Sequence, residues 1–108
     1  MLAIPAPEPT FEQIVEPFFA KRCYSCHNSR GNSGGLNLQE LNTAKSVAEN
    51  RDEWERILRR ISAGDMPPRQ MPRPDADELK QVESAIRNEF ELLDRSAEHN
   101  PKSGAVLL

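Results

Sequence analysis

The chain of 108 residues has little of several things that larger classes of protein depend on. It has no apolar run near the roughly 18 residues of a membrane-crossing helix, and its hydrophobic fraction is only 37% with a mean hydropathy of -0.69. Basic blocks are also missing. The 14 basic and 17 acidic side chains are interspersed and sum to a net charge of -3, which argues against a nucleic-acid partner. No glycine-rich phosphate loop follows a strand, and no stretch of useful length alternates apolar with polar residues. With only two histidines, His27 and His99, a hydrolytic triad lacks parts. Length leaves room for one domain, expected to be a single soluble unit. So small and polar a chain buries little surface, and commonly needs a disulfide, a metal or a cofactor to complete its core.

Cysteine is the most informative shortage. Both cysteines fall in one stretch, Cys23-Tyr24-Ser25-Cys26-His27, so no second pair exists to staple a loop or to complete a four-cysteine metal site. A redox dithiol of thioredoxin type would need a βαβ setting that the pattern does not provide. A structural zinc would have to recruit His99 from a polar tail. What CxxCH spacing does suit is haem: two thiols add across neighbouring vinyl groups of one porphyrin edge, and the adjacent imidazole supplies an axial nitrogen to iron. Cys23 and Cys26 are thus the expected covalent anchors and His27 the proximal ligand of a haem c.

The remainder of the chain reads as helices and loops. Residues 1–9, with Pro5, Pro7 and Pro9, form an extended lead-in. Thr10 with Gln13 matches a capping box, and Phe11, Ile14, Val15, Phe18 and Phe19 share a helix face running toward Cys23, with a kink or break expected at Pro17. Residues 28–37 are rich in turn formers. Asn42 or Thr43 caps a minor helix to about Ala48. Asp52 is expected to cap the next helix, whose face is Trp54, Ile57, Leu58 and Ile61 and whose end is Gly64. Residues 65–74 contain four prolines and cannot be regular, so they make a stiff strap. Asp75, with Glu78 completing a capping box, opens the last long helix over Leu79, Val82, Ala85, Ile86, Phe90 and Leu93. The expected organisation is a lead-in at 1–9, a domain at 10–94, and a polar tail or linker at 95–108.

A sixth ligand for the iron is available on the strap. Met66 and Met71 are both candidates, and Met66 is favoured because a helix end precedes it and Pro67-Pro68 follow. Met/His ligation raises the reduction potential and leaves no open position, which suits electron transfer rather than catalysis. A labile methionine would instead allow binding of a small ligand or reaction with peroxide. Leu36, Leu38, Trp54, Ile57, Ile61 and Pro67 are the expected pocket residues. Trp54, Arg69 and Arg73 are candidate donors to the haem propionates, with packing of the tryptophan and solvation of the arginines as the plainer readings.

With CYSCH, a GGL-containing loop, a tryptophan-bearing helix and Gly64-Asp65-Met66-Pro67-Pro68 in place, the chain resembles a class I-like cytochrome c domain. It is most similar to the planctomycete-type cytochrome c module of large exported bacterial proteins, over roughly residues 11–93. The resemblance implies a small all-α fold, with three principal helices and a minor one wrapped around covalent haem. It also implies the same ligand pair, His27 and Met66, and a carrier rather than an enzyme. Where many class I domains place Gly-Pro-Asn-Leu, this chain has Gly35-Leu36-Asn37-Leu38, so the Leu36 carbonyl is the expected acceptor for the proximal histidine. A redox partner or an adjacent domain, and a periplasmic or otherwise exported location, with either a leader already removed or the chain a piece of a longer exported protein, are further expectations. No membrane insertion by this segment is expected.

Overall fold

The computed structural model describes residues 8–24, 27, 37–68 and 70–99. Within these, four helices follow one another: α1 Phe11–Arg22, α2 Ala44–Glu49, α3 Arg51–Ser62 and α4 Ala76–His99. No strand is present among the described residues, so the all-α expectation holds. α1 packs on α4, α3 lies against α4, and the short α2 touches both α3 and α4.

α1 begins as its sequence dictates. Thr10 accepts a hydrogen bond from the Gln13 amide and the Gln13 side chain accepts one from the Thr10 amide, completing the capping box. The helix continues through Pro17 without dividing in two. Proline removes one amide donor, and this one sits on the exposed side of the helix. Phe11, Val15, Phe18 and Phe19 face the core, at the i, i+4, i+7, i+8 spacing of one stripe.

The start of α3 corrects the sequence reading. Asp52 lies within the first turn rather than at the cap. The cap is Asn50, which also ends α2: its amide donates to Ser46 O at 2.8 Å, and its carbonyl accepts from the Trp54 amide at 3.0 Å. α2 itself is capped by Thr43, whose hydroxyl accepts from the Ser46 amide. Asp52 and Glu53 then favour the positive end of the α3 dipole.

α3 ends in a Schellman motif. Gly64, at φ +80°, donates its amide to Ile61 O, and the Asp65 amide reaches back to Arg60 O at 3.0 Å. At the start of α4, Asp75 accepts from the Glu78 amide at 2.8 Å. The reciprocal half of the expected box is not made, because the Glu78 carboxylate is taken by Arg22 of α1. α4 also outlasts its apolar stripe, running on past Asp94 to His99.

Trp54 is the centre of the core. Its ring is fully buried, stacked on Phe19 with centroids 5.6 Å apart and edge-on to Phe11 at 5.4 Å. Leu38, Val47, Ile57, Leu58, Ile61, Val82, Ala85 and Ile86 complete the cluster around it.

Candidate functional site: the CYSCH turn and the proline strap

The CYSCH stretch begins where α1 runs out of turns. Cys23 is the helix C-cap, and its amide and that of Tyr24 both donate to Phe19 O, at 2.8 and 2.9 Å. A further step brings His27 back over this end: its amide donates to Cys23 O at 2.9 Å. The His27 carbonyl accepts from the Leu38 amide at 3.1 Å. Three of the expected site residues, Cys23, His27 and Leu38, are thereby joined by backbone hydrogen bonds. Cys26 and Leu36 lie outside the described residues, as does Arg69.

Tyr24 supports this turn. Its ring meets Phe19 edge-on at 6.4 Å, and its hydroxyl accepts from the Asn42 side-chain amide at 3.0 Å. The turn is therefore braced against the aromatic core on one side and the segment leading into α2 on the other.

His27 carries the chemical signal of the site. Its Nδ1 is buried without a hydrogen-bond partner among the described residues. Leaving a buried polar atom unpaired costs about 1–3 kcal/mol, and in a metal-ligating histidine the second ring nitrogen is ordinarily paired with a carbonyl or carboxylate. The residues present fit a haem: a half-buried thiol at a helix end, a histidine whose amide is tied to the same cysteine, and apolar side chains beside the thiol. Among the described residues no group of three or more His, Cys, Asp or Glu gathers as a metal cluster would.

The strap is anchored at both ends. The Met66 amide donates to Arg60 O at 3.2 Å, the carbonyl that also receives Asp65, so the methionine's backbone hangs directly from the end of α3. Met66 is half-buried and Pro67 fully buried. Met71 is also half-buried, its amide turning back to Pro68 O at 2.9 Å. The Arg73 guanidinium donates to the carbonyls of Pro67 and Pro68. Arg73 is thus a tie within the strap, a role its sequence context does not signal. At the other end Arg22, next to Cys23, donates to Pro72 O at 3.2 Å while its Nε and Nη2 grip Glu78 at 2.9 and 3.3 Å. The Glu78 hydrogen bond is the main reason that the Arg22 guanidinium is held above its ordinary pKa.

Ile57, Ile61 and Trp54 sit on the buried face of α3 that leads to this strap. The Trp54 indole N–H donates to Ser46 Oγ at 3.2 Å, so the donor considered for a propionate is engaged inside the core. A groove of about 560 Å³ between the start of α1 and α4, lined by Glu8, Phe11, Ile14, Lys80 and Glu89 among others, contains none of the expected haem ligands.

Four helices and no strand among the described residues are consistent with an all-α cytochrome c-like fold. Residues 23–70, from Cys23 into the strap, match the family model for planctomycete cytochrome C, and this segment is similar to that family. The match leaves α1 and α4 outside it, a narrower span than the motif resemblance covered. A search of curated proteins returned no match, and neither did a search of solved structures. No helix among the described residues is long and apolar enough to cross a membrane.

Proposed function

We propose that this chain is an electron carrier holding one haem c, attached through Cys23 and Cys26 and ligated by His27 and Met66. It serves as one module of a larger redox protein in an exported compartment. The observation that carries the proposal is the family-model match over residues 23–70, and the backbone hydrogen bonds that tie His27 to Cys23 and to Leu38 support it from within the site. Bound haem would supply a one-electron couple between ferric and ferrous iron, and a methionine thioether among its ligands would favour the ferrous form. The chain's own contribution is orientation and shielding. Hydrogen bonds with Cys23 and Leu38 fix the His27 backbone, and the buried Leu38, Ile57, Ile61 and Pro67 are the side chains that would shield the haem from water. A carbonyl from the 28–36 segment, with Leu36 the expected source, would take the ring N–H of His27 and keep the imidazole in one orientation.

The test uses the full chain matured by a haem-attachment system. A pyridine haemochrome spectrum should show covalent haem c, and the ferric protein should show the near-infrared sulfur-to-iron band. Met66→Ala should abolish that band, lower the potential and admit carbon monoxide to the ferrous iron. Loss of the band in Met71→Ala instead would move the ligand to Met71. Rapid carbon monoxide binding by the wild-type protein would favour a ligand-binding or peroxide-reactive haem, and absence of covalent haem would end the proposal.

A further inference from the structure

We propose that Arg22 is a positioning residue for the iron's methionine ligand, a latch that holds the proline strap against the haem-bearing end of α1. The inference rests on the Met66 reading and adds a control point to it. Arg22 is the residue before Cys23, yet its three bonds all leave α1. The fork formed by Nε and Nη2 is bidentate on Glu78 in the first turn of α4, and Nη1 donates to Pro72 O in the strap. Its side chain is 13% exposed, the most shielded cation of any ion pair among the described residues.

The strap has few ties of other kinds. Four prolines deprive it of donors, so its closure depends on groups that donate to its carbonyls. Arg73 supplies them from within the strap, at Pro67 and Pro68. Arg22 supplies the one that crosses from the CYSCH helix. A planar guanidinium is suited to this, because it can fork onto a carboxylate and still donate a third bond elsewhere. Lysine offers a point charge in its place. The residue beside the covalent anchor thereby reports to the segment that carries the distal ligand, so that loss of the latch should open the iron without touching either axial ligand.

The test is made on the full haem-loaded protein. The ferric iron's binding of imidazole, which must wait for the methionine to leave, should become about two- to fivefold faster in Arg22→Gln, the range expected from the energies of partly exposed pairs. The near-infrared sulfur-to-iron band should be lost at lower pH than in the wild type. Arg22→Lys should fall between them. Glu78→Gln, which leaves the residue beside Cys23 intact, should shift both readouts in the same direction and so serves if Arg22→Gln loads haem poorly. Arg51→Gln breaks a comparable surface network with Asp94 and Glu55 that has no strap contact, and should leave both readouts unchanged. Equal acceleration by Arg51→Gln, or a wild-type rate in both Arg22→Gln and Glu78→Gln, would overturn the latch. Absence of the band in the wild-type protein would instead count against Met66 ligation. In that event amide hydrogen exchange at Met71, whose N–H donates to Pro68 O, still decides: faster exchange in Arg22→Gln supports the latch and unchanged exchange refutes it.

Discussion

Gly64→Ala isolates a single physical cost at the junction between α3 and the strap. The backbone there has φ +80°, which costs an L-residue about 1–2 kcal/mol relative to a right-handed conformation. A Cβ built on Gly64 meets no atom within 4 Å, so no steric clash adds to that cost. Against it stands the stiffening of the unfolded chain by alanine, about 0.4–1 kcal/mol in favour of the variant. The difference is a destabilisation of about 1 kcal/mol, which for a domain of this size lowers Tm by about 4–8 °C. Thermal unfolding of the haem-loaded protein followed by circular dichroism measures it. Gly64→Asn, which accepts the left-handed region more readily, should fall by less. An unchanged or raised Tm in Gly64→Ala would refute the Schellman ending of α3. It would also remove the reason for hanging the Met66 amide from Arg60 O.

Ser46→Ala should cost about 1–3 kcal/mol in urea unfolding, because it strands the fully buried Trp54 indole N–H; a cost near zero would show that the indole finds another acceptor. Glu89 has its pKa raised, first by burial and then by repulsion from Glu12. Its contribution to stability is therefore complete below the ordinary carboxylate range and is lost as pH rises through its raised value. Glu89→Gln should accordingly be more stable than the wild type at neutral pH, with the two curves of Tm against pH converging in acid. Asp94 is held low, chiefly by its hydrogen bond from Arg51, and has the opposite sign. Asp94→Asn should be less stable at neutral pH, and the deficit should close as pH falls through the lowered Asp94 value.

Features determined within one turn of the chain are legible in the sequence alone. The Thr10 capping box, a cap at Asn42 or Thr43 that falls on Thr43, the glycine ending α3 and the irregular proline strap all depend on near neighbours in the chain. Features that depend on a distant partner are not. Glu78 reads as the second half of a capping box with Asp75, but Arg22, 56 residues earlier, competes for its carboxylate with a bidentate grip and wins. Asp52 reads as a cap because aspartate favours that position, yet Asn50 already closes α2 and needs no linker before α3 begins. The far end of α4 escapes for a different reason. Apolar periodicity reports only the packed part of a helix, and residues such as Arg95, which pairs with Glu91 one turn back, can prolong it in water.

In the site, the CYSCH motif and the strap stand out because haem chemistry demands unusual residues at a fixed spacing. Arginines that act on proline carbonyls have no such signature. Arg73 reads as a solvated cation or a propionate donor, and only folding puts the Pro67 and Pro68 carbonyls in front of it.

The double duty of Asn50 also bears on which insertions and deletions the chain can absorb. Because one residue ends α2 and begins α3, each residue added there would turn α3 by about 100° about its axis. That rotation would carry Trp54 away from Ser46 and take the Arg60 carbonyl, from which Met66 is suspended, out of line with the strap. A length change at this point, far from both cysteines in the sequence, would therefore be felt in the strap that carries Met66.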